Sequence, residues 1–387
     1  MATGSLQVSR GRYVAMIRYK EGEKTRQVSR SLNLPAIKGN KRNANERLLE
    51  LIQEFNEKEK HDVECNLNQN KRVKFTDYIG YWLEQKEAYV SPTTFQSYKI
   101  IVHDNILPYF EPLALFLDEV TGPILQTYFD KMIRSGKNGE RLSSKTVKRY
   151  KTIINQVLTH ARRMGLINTD PCEFITLPPC EDKNISYYSA QEIKTLFDAL
   201  KGDTLEDLVY VTAVYGLRRS EVLGLKWDSV DFDNETVTIK HTVTKVSRVV
   251  EKDKTKNKSS YRTYPLLPKV KDIFIRLKGS EKKNSRLFRK EYHKNDYIFK
   301  WPDGKPFAPD YVSQHFAAVI KHKGLKYITF HGLRHSCASV LVNQGMTPKD
   351  IQEWLGHSDV RTTMNIYGHI DASRKKVIGE TIANTVS

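Results

Sequence analysis

The amino-acid sequence predicts a multidomain protein, mainly α with small sheets: an α+β segment, then an all-α bundle, then a mixed α+β domain. Residues 11–32 alternate between polar and apolar side chains, as strands do. Residues 75–165 instead repeat apolar side chains every three or four positions, as amphipathic helices do. Stretches rich in charge or proline separate these regions, so we place the domains at 1–65, 72–168 and 185–387.

The first predicted domain is a basic hairpin followed by a helix. Residues 11–19 predict one strand, and residues 26–32 predict its partner across an acidic turn. A helix is expected from about Asn43, with an apolar face formed by Leu48, Leu49, Ile52 and Phe55. Residues 57–72, first acidic and then polar, are typical of a linker. Eleven basic side chains against three acidic ones in the first 47 residues favour a DNA-binding role.

The second predicted domain consists of four helices. The first carries its apolar residues at helical spacing: Phe75, Tyr78, Ile79, Trp82 and Leu83. Ser91 and Pro92 supply the N-cap and first-turn proline of the second helix, and the third spans about 121–134. The fourth begins at Ser143 or Ser144 and ends near Gly165, with an apolar face of Val147, Tyr150, Ile154, Val157, Leu158 and Ala161. Its remaining faces are strongly basic. Such charge usually indicates a solvated face, and a phosphate-binding surface is the alternative. Residues 170–182 predict a second linker.

The third predicted domain mixes helices with strands. A capping box at Ser189–Glu192 begins its first helix, and the next spans 203–215. Residues 230–239 predict a strand pair, and residues 249–266 predict a β-hairpin. Two further helices are expected, one over 332–343 and one that begins at Thr347 and ends at Gly356.

Charge and cysteine content narrow the class of protein. The 63 Lys and Arg against 45 Asp and Glu give a net charge of +18, which favours a polyanionic partner such as nucleic acid. The four cysteines lack C-x-x-C spacing, so the sequence predicts neither a disulfide framework nor a zinc ribbon. With no apolar run of membrane length and no signal-peptide pattern, we expect a cytoplasmic protein without a membrane partner.

Four short motifs stand in order along the third domain. They are Gly216-Leu-Arg218-Arg-Ser-Glu221, His331-Gly-Leu-Arg334-His335, Leu355-Gly-His357-Ser358, and Met-Asn-Ile-Tyr367-Gly-His. Each is weak alone, but the ordered set resembles the active site of the tyrosine recombinases, the family of phage- and transposon-type integrases. The resemblance implies catalytic roles for Arg218, His331, Arg334, His357 and Tyr367.

The chemistry explains why these residue types belong together. Cleaving a phosphodiester without a metal requires neutralising its non-bridging oxygens, and the planar, permanently charged guanidinium does this well, which suits Arg218 and Arg334. A positioned tyrosine such as Tyr367 attacks once its proton is removed, leaving a covalent phosphotyrosine. His331 is a candidate to accept that proton or to hold the phosphate, and His357 to donate to a phosphate oxygen.

The family resemblance implies one further residue, a hairpin lysine that protonates the leaving 5′-oxygen. The family setting is Lys-Thr, small polar residues and then Arg-Thr, and the segment from Asp253 to Thr263 resembles it. Lys254 is our choice because Thr255 follows it, while Lys256 and Lys258 remain open. A tyrosine, Tyr215, also stands where the family most often has threonine, and we expect this to change packing rather than chemistry.

The resemblance also implies a reaction and its partners. We expect a DNA strand transferase, independent of metal, ATP and other cofactors, that works through a 3′-phosphotyrosyl intermediate to integrate and excise a phage or conjugative transposon. The first domain would bind arm sites and the helical bundle core sites of double-stranded DNA. A homotetramer on DNA would carry out exchange in a bacterial host, at the nucleoid, with an excisionase or a DNA-bending protein as accessory partners.

Other interpretations remain open at the level of sequence. His331 and His335, four residues apart, could bind zinc, although a third ligand is not obvious. Type IB topoisomerases share this chemistry, and a regulator that has lost catalysis would keep the DNA-binding domains. Among the neighbouring side chains, Arg219 is expected to be structural or phosphate-facing, and Glu221 to orient an arginine.

Overall fold

The computed structural model describes residues 2–21, 24–68, 72–136, 139–180, 186–245, 249–252, 261–357 and 379–384. The chain forms two compact units, Met1–Asp182 and Lys183–Ser387. The first unit holds a small sheet and a helical bundle, and the second holds helices with two small antiparallel sheets. This architecture confirms the predicted mainly α, multidomain fold class. Within the described ranges, no helix combines the length and apolarity that crossing a bilayer requires.

The N-terminal sheet has three antiparallel strands in the order β1-β2-β3. Their bounds are β1 (Thr3–Ser9), β2 (Arg12–Glu21) and β3 (Lys24–Pro35). The predicted hairpin is thus confirmed, but β1 was not predicted. Only Leu6 of β1 is even partly buried, so the strand has no apolar alternation that could have revealed it.

The first helix, α1 (Lys41–Asn68), follows a short 3₁₀ turn at Lys38–Asn40. It runs through most of the stretch predicted as a linker, so that prediction was wrong over 57–68. Leu48 is 7% exposed and packs on Ala15 and Ile17 of β2, as predicted. Leu49, however, is 64% exposed, because it lies about 100° further around the helix, and Leu51 packs there instead.

The helical bundle confirms the predicted four-helix region. Its helices are α2 (Phe75–Glu87), α3 (Pro92–Ile101) continued by a π turn (Val102–Ile106) into α4 (Leu107–Phe110), α5 (Gly122–Ser135) and α6 (Ser144–Arg163). Two 3₁₀ turns, Glu111–Leu113 and Leu117–Glu119, connect α4 to α5. The hydroxyl groups of Ser91 and Ser143 accept hydrogen bonds from backbone N–H groups three residues on, which begins α3 and α6. Every residue predicted for the apolar faces of α2 and α6 is buried.

The segment after α6 packs on the bundle rather than acting as a linker. Cys172 and Ile175 are buried in the bundle core. The ammonium of Lys151 donates to the Ile175 carbonyl at 2.7 Å, and the Gln126 side chain exchanges two hydrogen bonds of 3.0 Å with the backbone of Thr176. The predicted linker over 170–182 was therefore wrong for its first half.

Among its described residues, the second unit contains seven helices, five strands and a further helical stretch over 379–384. The helices are α7 (Ala190–Ala199), α8 (Glu206–Tyr215), α9 (Arg219–Val222), α10 (Pro268–Phe288), α11 (Pro309–His322), α12 (Gly332–Asn343) and α13 (Pro348–Leu355), with 3₁₀ turns at Trp227–Ser229 and Arg289–Glu291. The strands are β4 (Val230–Asp231), β5 (Thr236–Ile239), β6 (Thr242–Lys245), β7 (Val249–Lys252) and β8 (Arg262–Pro265). The predicted capping box of α7 is present.

The strand pairing corrects one prediction. β7 pairs with β6, whereas β8 pairs with β5 in the sheet β4-β5-β8. The two strands around the candidate lysines therefore lie in different sheets and are not the two arms of one hairpin. Alternation of side chains predicts that a segment is a strand but not which neighbour it pairs with.

Candidate active site

The site forms where three helix ends meet in the second unit. α8 ends at Gly216 and α13 at Gly356, both in the left-handed conformation that glycine adopts readily. A Cβ atom at position 216 would lie 2.3 Å from Cδ2 of Leu355, so only glycine lets the two helix ends approach this closely. α12 begins between them and carries Arg334 in its first turn.

Arg334 joins these helix ends from inside the protein. It is 2% exposed, and its Nη1 and Nη2 donate to the carbonyl oxygens of Gly216 (2.8 Å) and Leu355 (2.6 Å). In the described part of the chain, Arg334 therefore binds neutral carbonyls rather than a carboxylate. Burial, followed by the charge of Arg218, lowers the pKa of Arg334 to about 9, so it remains charged at neutral pH.

Arg218 lies beside it and is more open to solvent. Its Nη2 donates at 3.0 Å to the carbonyl of Gly356. Gly356 directly follows Leu355, whose carbonyl accepts from Arg334. Its Nη1 and its backbone N–H both donate to the carboxylate of Glu221, at 2.6 and 2.8 Å. Since 34% of its side chain is exposed, Arg218 presents part of its guanidinium at the surface.

Glu221 is the buried carboxylate that orients Arg218, as the sequence predicted. It is 1% exposed and receives a second guanidinium, that of Arg262, at 3.2 and 2.9 Å. Burial alone would raise the pKa of Glu221, but the hydrogen bonds and charge of Arg262, together with the charge of Arg218, lower it to about 2. The glutamate is therefore ionised throughout the neutral range.

The two predicted histidines flank the arginines. His357 follows Gly356 and is buried, and its backbone is fixed by hydrogen bonds to and from Gln352 (3.0 and 3.1 Å). Burial, followed by the charges of Arg334 and Arg218, lowers the pKa of His357 to about 3. His331 precedes α12, and its residue as a whole is exposed. Desolvation of its imidazole, followed by His335 and then by the charges of Arg334 and Arg218, lowers the pKa of His331 to about 4. Both imidazoles are therefore neutral at pH 7.

An aromatic cluster supports the site from behind. The rings of Tyr215 and Tyr264 pack at 4.9 Å, and Trp354 packs on Tyr264 at 4.8 Å. The Tyr264 hydroxyl donates to the carbonyl of Trp354, and the Tyr215 hydroxyl donates to that of Pro265 at 2.9 Å. These contacts connect β8 to the ends of α8 and α13, so Tyr215 has the packing role that the sequence predicted.

The other singled-out residues have mixed outcomes. Arg219 donates to the carbonyl of Pro309 (3.0 Å) and to Ser313 (2.6 Å), so it anchors α9 on α11. His335 lies edge-to-face on His331, and the described residues bring together no group of three or more potential ligands that could hold a metal ion. Tyr367 and His369 lie outside the described residues, as do Lys254, Lys256 and Lys258.

Arg262 is the site residue that sequence reasoning missed. In the sequence, Arg262 was noted only as the first residue of the Arg-Thr pair that ends the lysine motif. Its partner Glu221 lies 41 residues earlier in the chain, and no spacing pattern shows a contact of that range. A basic residue at the start of a short strand was the available signal.

Comparison with known proteins indicates the family of the chain. The phage integrase family model matches residues 187–374, and the model of the phage integrase N-terminal SAM-like domain matches residues 74–133. A tyrosine recombinase XerC-like protein of Caldanaerobacter subterraneus subsp. tengcongensis is 27% identical over 330 residues, which are 80% of this chain and 83% of the relative.

Two solved structures share the fold. The Tn1549 transposon integrase in complex with transposon right end DNA has a TM-score of 0.66 at 20% identity, over 80% of this chain and 100% of that one. A lambda integrase tetramer bound to a Holliday junction has a TM-score of 0.60 at 15% identity, over 93% of this chain and 94% of that one.

The chain belongs to the phage integrase family. It is a tyrosine recombinase of the integrase type, as the four motifs predicted.

Proposed function

We propose that this integrase cleaves and rejoins DNA at specific sites through Tyr367, and so integrates and excises a mobile genetic element. The observation that supports this most directly is the pair of arginines, Arg218 and Arg334, held on the consecutive carbonyls of Gly356 and Leu355. Two guanidiniums fixed side by side, with one of them partly exposed, suit a single phosphodiester anion.

In this proposal the arginines stabilise the five-coordinate phosphorus of the transition state. The carbonyl groups hold both side chains before DNA arrives, so little reorganisation is needed when negative charge develops on the phosphate oxygens. Arg218 and Arg262 share the Glu221 carboxylate, and Arg334 adds a further charge, so the group keeps an excess of positive charge. That excess favours binding of an anion.

In this proposal, the proton transfers are shared between the histidines and residues outside the described ranges. His331 is neutral at pH 7 and its residue as a whole is exposed, so it can accept the proton of the Tyr367 hydroxyl. His357 would donate a hydrogen bond to a phosphate oxygen. We assign protonation of the leaving 5′-oxygen to Lys254, with Lys256 and Lys258 as alternatives in the same segment.

The first unit is proposed to supply the DNA affinity. Residues 1–65 would bind arm sites, residues 72–168 would bind core sites, and residues 185–387 would carry out the chemistry. The basic side chains of α6 support the core-site role, although two of them also hold the bundle together: Arg149 donates to Ser97 at 3.0 Å and Lys151 to Ile175.

Strand exchange between two duplexes requires four cleavages, so we propose a homotetramer on DNA. The lambda integrase similar to this chain in fold is a tetramer bound to a Holliday junction, which supports that stoichiometry. An excisionase or a DNA-bending protein would set the direction of the reaction. Its DNA substrate would place the protein at the nucleoid in the bacterial cytoplasm.

Covalent trapping tests the proposal. Wild-type protein incubated with element DNA in EDTA and without ATP should form an adduct that survives denaturation, and Tyr367→Phe should form none while binding DNA equally tightly. Tyr327→Phe is the matched control, because Tyr327 is an exposed tyrosine of the same unit with no role in the site, and it should form adducts at the wild-type rate. Adducts formed by Tyr367→Phe, or a DNA-linked peptide centred on another tyrosine, would refute the assignment.

A further inference from the structure

We propose that Arg262 is a positioning residue for DNA cleavage, which holds Glu221 so that the charge of Arg218 stays available to the scissile phosphate. This inference rests on the proposed function and adds a residue to it. Arg262 stands at the start of β8, and only 9% of its side chain is exposed. It therefore acts on the reaction through Glu221 and does not touch DNA.

The first step is the charge balance around Glu221. Its carboxylate is 1% exposed, and a buried carboxylate is strongly destabilising unless a cation compensates it. If Arg218 were the only partner, the two charges would cancel and the phosphate would meet a neutral pair. With Arg262 bonded to both carboxylate oxygens, the three groups together keep one positive charge, and it lies on the partly exposed Arg218.

The second step is that the pose of Arg262 is fixed. Its Nε donates to the Tyr264 hydroxyl at 2.5 Å, while Nη1 and Nη2 both face Glu221. That hydroxyl in turn donates to the carbonyl of Trp354 and lies 3.3 Å from that of Tyr215. Through Tyr264, Arg262 is thus anchored to the ends of α8 and α13. The next carbonyl at each of these ends holds Arg334. The Arg262 guanidinium therefore helps to fix the positions of both Arg218 and Arg334.

The third step concerns which side chains could replace it. A lysine at position 262 would keep the positive charge but could reach only part of this hydrogen-bonding arrangement, because an ammonium lacks the planar fork. A methionine would keep much of the volume and lose the charge. The ordered series of arginine, lysine and methionine therefore separates charge from shape.

The test compares full-length Arg262→Lys, Arg262→Met and the double variant Arg262→Met/Glu221→Gln. The substrate is a nicked duplex that carries the element sequence to which the wild type becomes covalently attached. Adduct formation is followed in single turnover at saturating protein, the DNA dissociation constant by anisotropy, and folding by circular dichroism. Arg276→Met is the matched control, since Arg276 forms an exposed ion pair with Asp207 in the same unit.

Arg262→Met should slow adduct formation by about 100-fold, the effect expected from misplacing a reacting group by about 1 Å, with an unchanged DNA dissociation constant. Arg262→Lys should fall between this variant and the wild type. The double variant should be faster than Arg262→Met, because it removes the carboxylate that would otherwise neutralise Arg218. Arg276→Met should match the wild type.

Wild-type rates in Arg262→Met would overturn the inference. So would a double variant no faster than Arg262→Met combined with an equally slow Arg262→Lys, because the pair would then be only structural. If Arg262→Met does not fold, Arg262→Lys decides: slower adduct formation than the wild type at an unchanged DNA dissociation constant supports the inference, and the wild-type rate overturns it. Failure of the wild type to form any adduct would instead overturn the proposed function.

Discussion

The helical bundle of the first unit and the active-site cluster of the second are built on opposite principles. The bundle buries apolar side chains such as Trp82, Phe129 and Ile154. The cluster buries charges: Arg334 is 2% exposed and Glu221 is 1% exposed. Apolar burial stabilises a fold without reference to any ligand, whereas buried charge costs stability unless partners compensate it. In the cluster, Glu221 compensates only part of the positive charge of the arginines. An excess of positive charge remains, and a bound anion would balance it.

This contrast predicts different kinds of mutational damage. A substitution in the bundle should lower the free energy of unfolding and leave the chemical step intact in the molecules that fold. A substitution in the cluster should slow the chemical step more than it changes folding. Three experiments test the contrast.

The largest expected effect is in the bundle. Trp82 is 1% exposed and stacks on Tyr98 at 5.9 Å between ring centroids. Trp82→Ala should lower the free energy of unfolding by about 3–5 kcal/mol, because it removes a large buried ring and leaves a cavity. Urea denaturation followed by circular dichroism measures this.

Tyr89→Ala is the control for this substitution, because Tyr89 follows the same helix and is 82% exposed. Its unfolding free energy should stay within about 0.5 kcal/mol of the wild type. If both variants unfold at the same urea concentration as the wild type, the bundle core does not stabilise the first unit as described.

The second effect is in the cluster. Arg334→Lys keeps the charge but cannot donate to both Gly216 and Leu355 in the geometry of a guanidinium. We expect adduct formation to slow by about 100- to 1000-fold, the usual consequence of losing a preorganised donor, while DNA affinity changes little. Single-turnover cleavage and anisotropy measure the two quantities.

Arg276→Lys is the control, because Arg276 is an exposed arginine of the same unit. This variant should cleave DNA at the wild-type rate. An Arg334→Lys protein that loses DNA affinity and keeps its cleavage rate would reverse the proposed division between binding and chemistry.

The third effect is a pH dependence of stability. The folded protein lowers the pKa of His331 to about 4 and that of His357 to about 3, below the value of about 6.5 for an unperturbed histidine. Between these values the unfolded chain binds protons that the folded chain does not, so stability should be lost as the pH falls below about 6.5. Urea midpoints at about pH 7.5 and about pH 5 measure this loss.

The double variant His331→Gln/His357→Gln should lose less stability over the same range, because it lacks the two groups that bind protons on unfolding. An equal loss in the double variant would assign the pH dependence to other residues. Bound DNA should weaken the effect in the wild type, since the phosphate charge raises the pKa of both histidines.

The two regions also differ in how far the sequence predicts them. The apolar faces of α2 and α6 follow from spacing alone, because burial repeats with the helical period. The helix over 57–68 was missed because its glutamates and lysines form helices well without an apolar face. In the cluster, the motifs predicted that Arg218, Arg334 and His357 share one site, and these residues do lie together. They could not predict the Arg262–Glu221 contact or the separate sheets of β7 and β8, since both depend on long-range pairing.

The close approach at Gly216 has a consequence for how this protein can change over time. A side chain at position 216 would collide with Leu355, and the carbonyls of these two residues are the ones that hold Arg334. A side chain at 216 would also be strained by the left-handed backbone there, and a shift of Leu355 to relieve the collision would move an acceptor of the arginine. A larger residue at 216 would therefore require a smaller one at 355, whereas a smaller residue at 355 could stand beside glycine. Position 216 is expected to stay glycine wherever 355 is leucine, which sequences of related integrases can test.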